Sequence, residues 1–117
     1  MKPQICYISK TNFKREVVDE ERPVLVLCMP VDYDFGDQVE MLKRISHLYG
    51  NNIKVGLLEE PFIDKFKHRY DVKGTPTFLI LRNGLEQDRS LGLADEQMLL
   101  ELISPFVEPV AAYSPRL

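Results

Sequence analysis

The stretch from Tyr70 to Gly84, Tyr-Asp-Val-Lys-Gly-Thr-Pro-Thr-Phe-Leu-Ile-Leu-Arg-Asn-Gly, constrains the fold more than any other part of this 117-residue chain. Asp71 to Gly74 interrupts a helical pattern. Thr75-Pro76 then sets a stiff turn, because proline fixes φ and drives the residue before it toward extended geometry. Thr77 to Leu81 is an apolar run of buried-strand length. Asn83-Gly84 is the strongest short hairpin signal, since both residue types accept positive φ. Helix end, proline turn, buried strand and hairpin therefore follow in that order. Pro76 fits either an ordinary trans turn or a cis one.

The preceding chain supplies three strands and three helices. Ile5 to Ile8 alternates as a short first strand, and Phe13 with Val17 opens a short helix after the cap candidates Ser9 to Asn12. Asp19-Glu20-Glu21-Arg22 reads as a solvated connection. Val24 to Met29 is apolar at every position, which predicts a strand covered on both faces. A loop runs from Met29 to Gly36, and a helix is expected from Asp37, with Val39, Leu42, Ile45 and Tyr49 on one side and Met41 and Leu48 widening the stripe. Gly50-Asn51-Asn52 ends it. Ile53, Val55 and Leu57 form a third strand. Glu59-Glu60-Pro61 starts a helix that buries Phe62, Phe66 and Tyr70. After the hairpin, Asp95 caps a last helix striped by Leu99, Leu102, Ile103 and Phe106. The reading gives one domain over residues 1–107 and a loosely held tail over 108–117.

Net charge of −3 argues against a nucleic-acid binder, which would carry a basic face. No run approaches the roughly 18 apolar residues of a membrane span. The N-terminus shows no apolar signal region, so a cytoplasmic location is the expectation. Cys6 and Cys28 are too far apart for a CxxC pair or half a zinc site, and read as two reduced, mostly buried thiols. His47 and His68 read as surface residues on helices. Asp32, Asp34, Asp37 and Glu40 lack the spacing of a calcium loop and suit a helix N-terminus instead. No cofactor or metal is expected.

The order β-α-β-α-β-α-β-β-α, the Gly-Thr-Pro turn at 74–76, Asn83-Gly84 and Gly92 before the last helix resemble the thioredoxin-like family across about residues 4 to 107. The resemblance implies an α/β fold with a central mixed sheet and helices on both faces. It implies a cis Pro76 beside a groove, and a first strand separated from the second by the third, which argues against a Cys6–Cys28 bridge. It places cell redox homeostasis in view and puts the dithiol at the head of the helix after the central strand. There the first thiol of a Trp-Cys-Gly-Pro-Cys motif is acidified by the helix N-terminus. The matching segment here is Val31-Asp32-Tyr33-Asp34-Phe35-Gly36-Asp37, which has no cysteine. The family's buried acid in the preceding strand is replaced by Leu27.

Three functions remain open. In the first, the chain is a non-catalytic protein-binding or chaperone-like module. Thr75 and Pro76 would pair with another protein's extended segment, and Val31, Tyr33 and Phe35 would form an apolar floor if the loop does not fold back over its rings. Nearby acids would favour basic or neutral partners. The layout is similar to hydrogenase-maturation chaperones. In the second, the chain is a thiol-dependent redox enzyme working through the single cysteine Cys28 or through a thiol on a partner. In the third, the fold is a structural subunit docked through Glu108 to Leu117. No nucleic-acid or membrane partner is expected, and the sequence leaves the oligomeric state open.

Overall fold

Every side chain of β2 (Val24–Cys28) is buried, so this strand lies in the sheet interior with helices on both faces. A computed structural model describes residues 5–107. In it, β1 (Ile5–Ile8), β3 (Lys54–Leu58), β2, β4 (Thr77–Arg82) and β5 (Leu85–Leu91) form one five-stranded sheet in the order β1-β3-β2-β4-β5. β1, β3 and β2 are parallel, and β4 and β5 are antiparallel. The helices are α1 (Phe35–Tyr49), α2 (Ile63–Tyr70) and α3 (Glu96–Ile103). The fold class is the mixed α/β arrangement expected from the order of elements. The division at residue 107 and the proposed tail fall outside the described residues.

Alternation along the strands sorts the core into two layers. Val24, Val26, Cys28, Leu79 and Leu81 face Phe13, Val17, Phe66 and Tyr70 on one side. Leu25, Leu27, Phe78 and Ile80 face Leu42 and Ile45 of α1 and Leu99 and Ile103 of α3 on the other. The i, i+4, i+8 aromatics after Pro61 are buried, with the Phe66 and Tyr70 rings packed at 4.7 Å between centroids and tilted by 44°. Leu48, assigned to the α1 stripe from its spacing, is exposed, because it lies beyond the width of helix that the sheet covers.

Local chemistry sets the element ends. The Phe13–Val17 region closes as one π-helical turn, Lys14–Val18, in which Asp19 N–H donates to Lys14 O at 2.8 Å. Asp71 ends α2 in the left-handed region at φ 54°, where Asp and Asn are tolerated better than branched residues. Arg89 from β5 braces that end. Its Nη2 donates to Tyr70 O, while Glu86 accepts from its Nε at 2.7 Å. Asp95 caps α3, its Oδ1 accepting from Met98 N–H at 2.8 Å. α1 begins at Phe35, two residues before the expected start, because Asp32 already organises the turn ahead of it.

Asn83 and Gly84 have φ of 53° and 79°, the pair of left-handed residues a tight hairpin with native strand twist needs. Tyr70 Oη donates to Gly84 O at 2.7 Å, and Asn83 Nδ2 donates to Val18 O at 3.3 Å, so the turn is tied to both α2 and the π-helical turn. A Cβ at Gly84 would also stand 3.0 Å from Val18 Cγ2. Gly84→Ala is expected to destabilise the chain by about 1–2 kcal/mol, from left-handed backbone and the close contact together. A lowered midpoint in urea denaturation checks this, and an unchanged midpoint would refute it.

Candidate functional site

The ladder fixes which loops meet. Cys28, the last residue of β2, pairs with Thr77, the first of β4, and Thr77 pairs with Leu91, the last of β5. The loops over residues 29–34, 71–76 and 92–95 therefore emerge at one end of the sheet. α1 begins there. Three connections that are distant in sequence converge on one rim.

The first loop is shaped by Asp32. Its carboxylate accepts from Asp34 N–H at 3.0 Å and its carbonyl from Phe35 N–H at 3.2 Å. This turn throws Tyr33 outward and brings Phe35 back. Tyr33 is 98% exposed and Val31 66%, whereas Phe35 is half-buried and packs against the α1–α3 core layer. Of the three side chains read as an apolar floor, two face solvent and the third belongs mainly to the core edge.

The second loop carries Thr75 and Pro76. The peptide bond between them is cis, Thr75 is exposed and Pro76 half-buried. Among the described residues, Thr75's backbone makes no hydrogen bond. Thr77 Oγ1 donates to Gly74 O at 2.6 Å, which holds the turn against β4. Pro76 O accepts from Gly92 N–H at 2.8 Å, which joins the second loop to the third. The third loop brings exposed Leu91 and Leu93 to the rim around Gly92, whose φ is 110°. Sequence reasoning missed these two leucines. Leu-Gly-Leu at the end of an edge strand was their only signal.

The thiols lie elsewhere. Cys28 is 0% exposed and points into the layer under α2. Burial pushes its thiol up to about 11, with Lys67 opposing weakly. Such a group is protonated near neutral pH and shielded from attack. Cys6, expected to be mostly buried, is half-buried because it sits on edge strand β1. Its Sγ donates to Glu16 Oε1 at 3.4 Å, and burial followed by that bond raises it to about 11. β3 stands between the two strands, so about 10 Å of sheet separates thiols whose Cα atoms a disulfide needs within roughly 7 Å. His47 and His68 are exposed. Among the described residues, no group of three or more His, Cys, Asp or Glu is placed to hold a metal ion. No described helix is long and apolar enough to cross a membrane.

A concavity of about 510 Å³ lies at the opposite end of the sheet, where Cys6, Glu16, Arg22 and Lys54 meet the end of α1. Its charges neutralise one another. Lys54 pairs with Glu16 and, at 3.4 Å, with Glu20, and Arg22 pairs with Glu20 at 2.9 Å and donates to Gly50 O at 2.7 Å. The Asp19–Arg22 run is therefore not the plain solvated connection its composition suggests. Lys54 pairs with Val24 in the ladder, which brings its ammonium beneath the segment entering β2. The Lys54 hydrogen bond, then Arg15, hold Glu16 down to about 2, and Arg22 does the same for Glu20. A carboxylate depressed in the folded state stabilises above its unfolded pKa, and that stability disappears as pH falls through the folded value. Stability should therefore fall between pH 4.5 and about 2. Lys54→Met should flatten that fall and lower stability at pH 7. Urea titrations across this range test both, and identical pH profiles for the two proteins would refute the assignment.

No family model matches the chain. It is 27% identical over 103 residues to thioredoxin Y, chloroplastic, of Oryza sativa subsp. japonica, covering 84% of this chain but only 59% of the rice protein's length. It is 26% identical over 102 residues to a thioredoxin of Rickettsia typhi, covering 83% of this chain and 93% of that protein. A mutant thioredoxin from Halobacterium salinarum NRC-1 superposes with a TM-score of 0.78 at 19% identity, over 94% of this chain and 97% of that one. With relatives that match most of its length and a sheet that superposes along it, the chain has the thioredoxin-like fold and is similar in sequence to thioredoxins.

Proposed function

We propose that this chain is a non-catalytic protein-binding module, chaperone-like in action, that holds an extended segment of another protein along the rim formed by Val31, Tyr33, Thr75 and Pro76. The observation that carries this is the pairing of exposed Val31 and Tyr33, at the head of α1, with an exposed Thr75 backbone that has no hydrogen bond among the described residues. An extended peptide can pair with such a backbone as an added strand, while its alternate side chains meet the apolar groups. Leu91 and Leu93 add apolar surface at the same rim. Asp32, Asp34 and Asp37 surround the loop with negative charge and favour a neutral or basic segment. The expected setting is the cytoplasm, with no cofactor in the groove.

Tyr33 is the natural anchor, since exposed aromatic side chains that become buried on binding dominate interface energies. A fluorescein-labelled Lys-Val-Leu-Val-Lys-Gly peptide, followed by anisotropy at low and moderate salt, is expected to bind saturably. Tyr33→Ala should weaken binding about tenfold, equivalent to about 1.4 kcal/mol. The side chain is almost fully exposed, so thermal stability should not change. Wild-type protein without saturable binding, or a variant that binds as tightly, would overturn the reading.

The thioredoxin names of its relatives favour a second reading, thiol chemistry through Cys28. Its thiolate would then have to reach a partner's disulfide in the folded protein and attack one sulfur, forming a mixed disulfide and releasing the other sulfur as a thiolate. Native-state alkylation with iodoacetamide at pH 8, read by mass spectrometry, is expected to leave Cys28 unmodified until the chain is unfolded. Modification of Cys28 in folded protein, with an apparent pKa below about 8.5, would move the redox reading ahead of the binding one.

A further inference from the structure

Gln38 lies in the first turns of α1 at a position where an apolar residue would satisfy the helix pattern, yet it is only 4% exposed and polar. Its carboxamide spans two backbone groups of a single distant residue. Nε2 donates to Ala94 O at 3.0 Å, and Oε1 accepts from Ala94 N–H at 3.0 Å. This is the two-bond pattern that a neighbouring strand residue would supply. Ala94 is itself buried, so both of its backbone groups would otherwise lose water without gaining a partner.

The bridge matters because of what flanks Ala94. Gly92 is tied to Pro76 O at 2.8 Å, and Leu93, half-exposed, stands between that tie and the Gln38 bridge. Leu91 lies against the loop before Pro76, close enough that a Cβ on Gly74 would sit 3.3 Å from its Cδ1. Gly92 adopts a φ of 110° and has open space where a side chain would be, so the segment's own backbone gives it little stiffness. At its other end, Gln38 N–H donates to Asp34 O at 3.3 Å, next to exposed Tyr33. One residue thus connects the two loops, its backbone to the one carrying Tyr33 and its side chain to the one carrying Leu93.

We propose that Gln38 is the positioning residue of the groove: its paired hydrogen bonds to Ala94 hold the Leu91–Leu93 lip at a fixed distance from the Val31–Tyr33 loop and so set how tightly the groove retains an extended peptide. The inference rests on the groove reading above. Glutamine suits the task because a carboxamide offers a donor and an acceptor together, whereas an ionised glutamate offers acceptors alone. A preformed lip also spares the bound complex the entropy of ordering it.

The full chain carrying Gln38→Met or Gln38→Glu tests this by amide hydrogen exchange and peptide dissociation. In Gln38→Met, exchange at Ala94 should accelerate at least tenfold, and the labelled Lys-Val-Leu-Val-Lys-Gly peptide should dissociate about tenfold faster. Amides of Val26 and Leu79 in the sheet centre should keep wild-type protection. Gln38→Glu carries its own signature, because a protonated carboxyl restores both bonds and an ionised one restores a single bond. Its Ala94 protection, relative to intrinsic exchange, should decline as pH rises through the carboxyl titration, while wild type stays flat. Unchanged Ala94 exchange or peptide dissociation in Gln38→Met overturns the proposal. So does equal acceleration at Val26 and Leu79, which would make Gln38 a general stabiliser. Failure of wild-type protein to bind the peptide removes the groove reading and the positioning role with it, an outcome visible without either variant.

Discussion

The burial of β2 on both faces is the constraint from which the rest of the structure follows. A strand with no solvent-facing side must have a strand on each edge and helices above and below. β3 and β4 take the edges, α2 and the π-helical turn cover one face, and α1 with α3 cover the other. Because β3 runs parallel to β2 and β4 antiparallel, connections of different kinds must leave from the same end of the sheet. That end cannot be closed by short turns. It becomes a rim of loops with the head of α1 among them, and the rim collects residues that the interior does not need.

Features set by one or two neighbouring residues were legible in the sequence. Asn83-Gly84 specifies a hairpin because the requirement, positive φ at both positions, is local. Asp95 specifies the start of α3 for the same reason. The aromatic series Phe62, Phe66 and Tyr70 was legible because a helix repeats its face every three to four residues. What escaped depends on partners far along the chain. Glu20 and Arg22 look like surface charges until β-pairing places Lys54 beneath them. Gln38 looks like a break in an apolar stripe until Ala94, far along the chain, meets it. Periodicity counts apolar positions and has no means of scoring a polar residue whose partner is a distant backbone.

The site was legible as a loop but not as a surface. Sequence places Tyr33 and Phe35 side by side in character, two rings two residues apart. The Asx turn at Asp32 separates them, sending one out and the other against the core. Which ring takes which direction depends on where α1 begins, and element boundaries are set by hydrogen bonds to one side chain, not by composition. Leu91 was hidden for the opposite reason. A leucine in a strand suggests the core, but β5 is an edge strand whose register shifts opposite Ile80 and Leu81, and its side chains are mostly left uncovered.

Leu27 and Tyr33 make physical sense together. Leu27 is buried in the layer formed with Phe78, Leu42 and Ile45, with no polar partner in that cluster. A carboxylate there would lose its hydration for no ion pair, at a cost of several kcal/mol. Such a group is worth keeping only where it exchanges a proton with something reactive nearby. Leucine instead contributes about 2 kcal/mol of apolar burial. At the head of α1, Tyr33 is almost fully exposed. On the proposed reading the two residues serve one end of the molecule together: Leu27 packs its interior, and Tyr33 presents a large, solvent-facing ring to a partner.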